Sequence, residues 1–416
     1  MKIPLKLITP PGFQHYDCTS CGDCCRGRFA IVVTQEDRDR IESQGWTDED
    51  LDLDGKPLFT RHGDGFQLAH RPDGACVFLE NNLCRIHAKY GEPAKPVACR
   101  MYPFVLVPLG DDVRVDVRYD CPATAKNLGR PIADHRKDLQ KLVKPALPEN
   151  AAELPPPPLY GRVKLTWAQL SRVTETFERV LLDVSLDITR RITACVNLAA
   201  VLRHPRIATL EGEEFDEYLE DVAAEVQSTA AIDTLRRKSP SGPEHVAFRQ
   251  LAGLYSRYDR VGEKAHLTKR LSVSLAMLSG KGAVPQLRDN FPEITFDQME
   301  TETGVPTPEA AQVLERYLHT HLSSMGFFGP SFYGRNYLDG VNSLLLTYPL
   351  ICWFARAYAA SEGLTAPNAS CIERALMIVD HQHGVTPLLD IPTERFRTNM
   401  LTDRSALRTL VIWYGS

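Results

Sequence analysis

At 416 residues the chain exceeds a single typical core and has room for two domains. Its formal net charge is −5, with 48 basic and 53 acidic side chains spread evenly, so no basic stripe marks a nucleic-acid or membrane-surface binder. The anomaly is cysteine: eight of the eleven fall in the first third.

The N-terminus, MKIPLKLITPPGF, carries prolines at 4, 10 and 11 and lacks the apolar core of a signal peptide, so a reducing cytoplasm is expected. Next comes Cys18-x2-Cys21-x2-Cys24-Cys25. A C-x2-C turn curls so that two sulfurs reach one metal while backbone amides point at them, and thiolates prefer soft or borderline ions. Zinc takes such pairs in tetrahedral sites, whereas three cysteines at successive x2 spacings match the tripod of an iron-sulfur cluster, closed in ferredoxins by a C-P. Here the C-P dipeptide is the distant Cys121-Pro122. With Cys76, Cys84 and Cys99, the eight form the candidate ligand set, enough for one closed site with thiols to spare or for two. A framework of disulfides suits a secreted chain and is the weaker reading. Strands are expected at 29–33 and at 113–117, where Val113, Val115 and Val117 alternate; the rest of a domain spanning 1–142 reads as loop organised by metal.

Pro145, Pro148 and Pro155-Pro156-Pro157-Pro158 mark residues 143–158 as an extended spacer or a strap across the surface. Beyond it the pattern is helical. From Leu170 to Leu202 apolar residues recur every three or four positions, one long helix or a broken pair, stopped at His204-Pro205. Further helices are expected at 213–230, 244–258, 262–279, 307–324, 337–361 and 369–381, making 159–416 an all-α domain in an α-rich chain. Val341 to Ala360 is the most apolar stretch, but Asn342, Pro349 and Arg356 interrupt it, so a buried helix is expected rather than a membrane span. Cys195, Cys352 and Cys371 fall in these patterns as small core residues.

The N-terminal residues resemble the YkgJ-type cysteine-cluster family, described as a zinc- or iron-chelating CxxCxxCC domain. Its CxxCGxCC, C-x-FL and P-x2-CR-x-[FY]-PF segments correspond to Cys18–Cys25, Cys76-Val77-Phe78-Leu79 and Pro96 to Phe104, with Cys84-Arg85-Ile86-His87 between them. The resemblance covers residues 16–122 and implies metal binding. Lys95 stands where the family usually has arginine, and His87, where tyrosine is common, adds a nitrogen to the donors. The length and layout are also similar, more distantly, to flagellin lysine N-methylase, which implies S-adenosylmethionine and a protein or peptide substrate.

No G-x-S-x-G elbow, H-E-x2-H helix, P-loop or Rossmann fingerprint is present, so an ordinary nucleotide-dependent enzyme is not expected. The radical C-x3-C-x2-C spacing is missing too. Arg100, Arg335 and His381 are the candidate cofactor-contacting groups, with His383 and the loop Tyr333-Gly334-Arg335-Asn336-Tyr337 completing a cleft expected between the domains. Arg100 is expected to neutralise the thiolates and Phe104 to shield them from water. Three functions fit: an iron-sulfur protein, 4Fe-4S favoured, that modifies a protein or peptide; a structural zinc module presenting a helical interaction domain; or a metal-handling protein. Neither a nucleic acid nor a membrane is expected as partner.

Overall fold

A computed structural model of the chain describes residues 6–10, 12–26, 30–258, 267–288, 290–301 and 303–415, without the side chains of 267–269. It is mostly helical, with the strands concentrated toward the N-terminus. The alternating valines do form a strand, Asp112–Val117, paired antiparallel with Phe104–Leu109 through a two-residue turn. Gly110 takes the positive φ of +63° that this turn demands. Lys6–Ile8 adds a parallel third strand beside Asp112–Val117. Of the strand expected at 29–33, Val32–Val33 is present and Phe29 lies outside the described residues.

The cores divide the chain elsewhere than the proline run. Leu7, Phe104, Val113, Val115, Val117, Tyr119, Leu139 and Val143 belong to one apolar core with helices reaching to Tyr414. A separate core holds eight buried residues, Ile41, Leu51, Leu53, Leu68, Cys76, Val77, Phe78 and Ile86. The three-stranded sheet therefore packs with the helical part, not with the cysteine-rich part, because all three inward valines need an apolar surface that the small core is too short to offer. The run 143–158 is a strap rather than a free spacer: the helix Arg136–Ala146 enters it, a turn at Ala151–Glu153 follows, and Pro158–Tyr160 pairs with Val163–Lys164. Trp167 Nε1 donates to the Leu154 carbonyl at 3.3 Å across it.

The stripe from Leu170 resolves into a pair, Trp167–Leu181 and Ile188–Val201. The first opens on a capping box in which Thr166 and Gln169 satisfy each other's backbone amides. The other expected helices are Gly212–Ile232, Gly242–Tyr255, Leu267–Ser279, Pro308–Ser324, Tyr337–Ser361 and Ala369–Gln382, with 262–266 outside the described residues. Pro392–Leu401 and Arg404–Gly415 close the fold, and the hairpin at 158–164 makes this part mostly rather than wholly helical.

Tyr337–Ser361 is long and apolar enough to cross a membrane, yet 94% of its most apolar window is enclosed by the rest of the molecule. Its polar interruptions have partners there. Arg356 donates to the carbonyls of Trp413 and Tyr414 at 2.9 and 3.2 Å, and Asn342 Nδ2 to that of Thr402 at 3.3 Å. Gly340 lets this helix approach the preceding loop, since a Cβ there would sit 1.9 Å from the Phe327 carbonyl oxygen. Gly340→Ala is expected to cost about 1–3 kcal/mol through that overlap, read as a lower denaturant midpoint at unchanged slope.

Candidate metal centre

Local backbone geometry explains the glycine in the first motif. Gly22 has φ +78°, and a Cβ on it would lie 3.2 Å from Asn82 Cα, so only glycine lets the hairpin tip pass this closely. Cys24 and Cys25 follow on the helical turn Asp23–Arg26, and the Cys25 amide donates to the Gly22 carbonyl at 3.0 Å. The second motif is tied on through its backbone, with the Cys76 amide donating to the Cys25 carbonyl at 2.9 Å. Cys84 arrives through the hairpin Leu79–Glu80 and Leu83–Cys84, whose turn residues Asn81 and Asn82 have φ of 49° and 66°. Two consecutive asparagines supply the left-handed pair that such a tight turn needs. Cys99 sits on the short helix Val97–Met101.

These four segments bring the thiols within electrostatic reach of one another. A hydrogen bond to Cys25 raises the pKa of the Cys24 thiol, and burial adds to it. Burial pushes Cys99 up to about 12, with Cys84 and Cys24 adding to the rise and Lys95 opposing it. Burial also raises Cys76, reinforced by Cys99 and Cys84. Cys18 and Cys121 form a further group around Tyr16. Burial raises the Tyr16 phenol, and Cys18, Cys121 and Cys24 all add to that rise, Cys18 also through a hydrogen bond. Cys121 opens the turn Pro122–Ala125; burial lifts its thiol to about 11 against hydrogen bonds from Thr124 and Ala123.

All eleven cysteines are free thiols. Among the described residues, no three His, Cys, Asp or Glu side chains stand close enough together to hold a metal between them. Ligation therefore requires thiol side chains to turn inward and lose their protons. An all-sulfur donor set of this kind fits zinc or iron and not a hard cation.

Arg100 does not face the sulfurs: its Nε pairs with Glu92 at 2.8 Å. The cation that acts on Cys24 and Cys99 is Lys95. Lys95→Ala is therefore expected to weaken metal binding about tenfold in a chelator competition, with Arg100→Ala near wild type. Phe104 packs edge-on against Tyr16 at 5.3 Å and against His135, covering the Cys18–Cys121 group through Tyr16. His87 is exposed on its helix.

Where Cys121 joins the helical part, a buried ionic network forms that sequence reasoning missed. Asp380 Oδ2 accepts the amides of Tyr119 and Asp120 at 2.7 and 3.1 Å and Arg118 Nε at 3.1 Å. Arg118 also reaches Asp120 at 3.2 Å, and His321 bridges Asp116 and Asp380 at 2.9 and 3.3 Å. His381 Nδ1 lies 3.3 Å from Asp120 Oδ2, so this candidate does meet the segment that carries Cys121. His383 turns instead to Tyr255, whose hydroxyl is 2.8 Å from its Nδ1, and burial lowers its pKa to about 3. Arg335 is buried, donates to Asn399 at 3.0 Å and has its pKa lowered by that burial. Tyr337 lies in the core, its hydroxyl 2.7 Å from that of Thr174, and is no part of a binding loop.

Fold and cysteine placement thus define a cysteine-rich segment joined to a helical body. Residues 17–125 match the family described as "CxxCxxCC: Putative zinc- or iron-chelating domain". Over 90 residues the chain is 31% identical to the uncharacterized protein MJ0939 of Methanocaldococcus jannaschii, a stretch that is 21% of this chain and 29% of that relative's length. No solved structure matches. These matches do not extend to the lysine N-methylase resemblance.

Proposed function

We propose that the cysteine domain holds an iron-sulfur cluster, 4Fe-4S in type, in a cytoplasmic protein that modifies a protein or peptide substrate. What supports this reading is the Cys18-x2-Cys21-x2-Cys24 spacing with the C-P cysteine Cys121, together with the shared action of Cys18, Cys121 and Cys24 in raising the Tyr16 phenol above its usual range after burial. Cys18, Cys21, Cys24 and Cys121 are then the ligands of the cluster, and Cys25, Cys76, Cys84 and Cys99 remain for a second metal. The bound cluster supplies electron-transfer chemistry. His381, beside Asp120, is the helical group best placed to contact S-adenosylmethionine if the reaction is methyl transfer. The even charge distribution favours a polypeptide partner over nucleic acid or a membrane surface.

Protein purified without air is expected to be brown, with iron and acid-labile sulfide in equal amounts. A colourless protein containing zinc sinks the cluster and leaves the second reading, a structural zinc module, which the small size of the eight-residue core supports. Calorimetry with S-adenosylmethionine tests the finer claim. Absence of binding to the metal-loaded protein removes methyl transfer.

A further inference from the structure

Beside the cysteine hairpin lies a polar cavity of about 610 Å³, walled by Arg26, Arg71, Arg85, Asn81 and Asn82. Arg85 is already engaged, stacked over Trp46 at 5.0 Å and 3.8 Å from Asp50. Arg71 is not. Its Nη2 donates to the Leu79 carbonyl at 2.8 Å, while its Nε is buried with no hydrogen-bond partner. Among the described residues no carboxylate pairs with Arg71 or with Arg26, whose guanidinium donates to the Cys21 carbonyl at 3.1 Å and to Asn82 Oδ1. A half-buried guanidinium with an unmet donor is costly unless an anion joins it.

The acidic residues around the cavity do not fill that role. Asp50 caps Thr47 and meets Arg85, Asp73 accepts the Ala75 amide at 2.9 Å, and Asp52 and Glu80 are exposed. Their negative charge disfavours a polyanion, so the arrangement selects a single anionic group.

We propose that this cavity binds a small molecule through one carboxylate or phosphate group, seated on Arg71 and Arg26 and touched by the Asn82 amide. Ala75 and Val77, on either side of Cys76, also line the cavity, which places such a ligand next to the candidate metal centre. The competing role for Arg71 is to offset thiolate charge alone.

The test is calorimetric titration of metal-loaded, full-length protein with inorganic phosphate and with acetate, at constant ionic strength balanced by chloride. Saturable binding of one probe is expected, weakened about tenfold in Arg71→Gln and about fivefold in Asn82→Gly. Glycine keeps the φ of 66° at position 82, so this second variant preserves the hairpin should Arg71→Gln fail to fold. Phosphate binding without acetate assigns a phosphate ligand, and the reverse assigns a carboxylate. The proposal is overturned if neither probe saturates, or if binding is unchanged in Asn82→Gly or in a folded Arg71→Gln. Binding that survives both variants but vanishes on metal removal assigns the anion to the metal and overturns it equally.

Discussion

Asp380→Ala is expected to destabilise the protein by about 3–5 kcal/mol, the range for removing one partner from a buried ion pair. Asp380 is 2% exposed, and a single carboxylate oxygen accepts two backbone amides and one guanidinium. Its loss strands the Tyr119 and Asp120 amides and removes one of the carboxylates that pair with Arg118. Asp380→Asn keeps an acceptor for the amides and loses only the charge, so its cost should fall between wild type and alanine. Chemical denaturation reads both. A loss below about 1 kcal/mol in the alanine variant shows that the network does not hold the segment before Cys121.

The same network sets a pH dependence. Burial works against a charge on His321, but Asp116 and then Asp380 outweigh it and hold its pKa up at about 10. A histidine raised in the folded state contributes stability that is full below its unfolded value of about 6.5 and is lost as pH rises toward 10. For Asp380, burial alone would raise the pKa; Arg118 and His321 override it and hold the carboxyl below the usual range. That contribution is present above the unfolded value of about 3.9 and is lost in acid. Stability should therefore decline between pH 6.5 and 10, and less steeply in Asp380→Ala, where Asp116 alone supports the charge on His321. An unchanged slope in that variant removes Asp380 from the coupling.

Metal removal is expected to open residues 18–101 while leaving the strands Phe104–Leu109 and Asp112–Val117 protected from hydrogen exchange. Among the described residues the cysteine-rich part has a core of eight buried residues, one of them the candidate ligand Cys76. A core of that size does not sustain a fold without a metal. Cys76→Ser should act like chelation, because it removes a donor and places a hydroxyl in the apolar core. The strands share the large core with the helices and so should survive both treatments. Protection across 18–101 that persists without metal defeats the prediction, and loss of protection in Asp112–Val117 defeats the division of cores.

The helices were readable because their signal is local. Tyr337–Ser361 has the expected bounds, and Pro308–Ser324 differs by one residue from the expected 307–324. The cysteine cluster was legible for a similar reason, since C-x2-C spacing is a local pattern, and its match to a family model covers residues 17–125. Other features were hidden by distance along the chain. Arg100 follows a cysteine directly, yet its Nε pairs with Glu92, while the positive charge opposing the rise of the Cys99 thiol is that of Lys95. Nothing near Asp380 announces that it will cap the amides of Tyr119 and Asp120, some 260 positions earlier.

What the sequence by itself determined is the main helices from Trp167 to Gln382, the valine strand and the presence of the cysteine cluster, because hydrophobic period and cysteine spacing act over a few positions. What only the tertiary structure decided is ownership. The alternation of Val113, Val115 and Val117 requires one buried face but is silent about which surface covers it, and that surface is the helical core and not the metal domain. The proline run marks a change of composition rather than a boundary, for the same reason. Apolar burial is nondirectional and goes to whichever partner surface the complete fold presents.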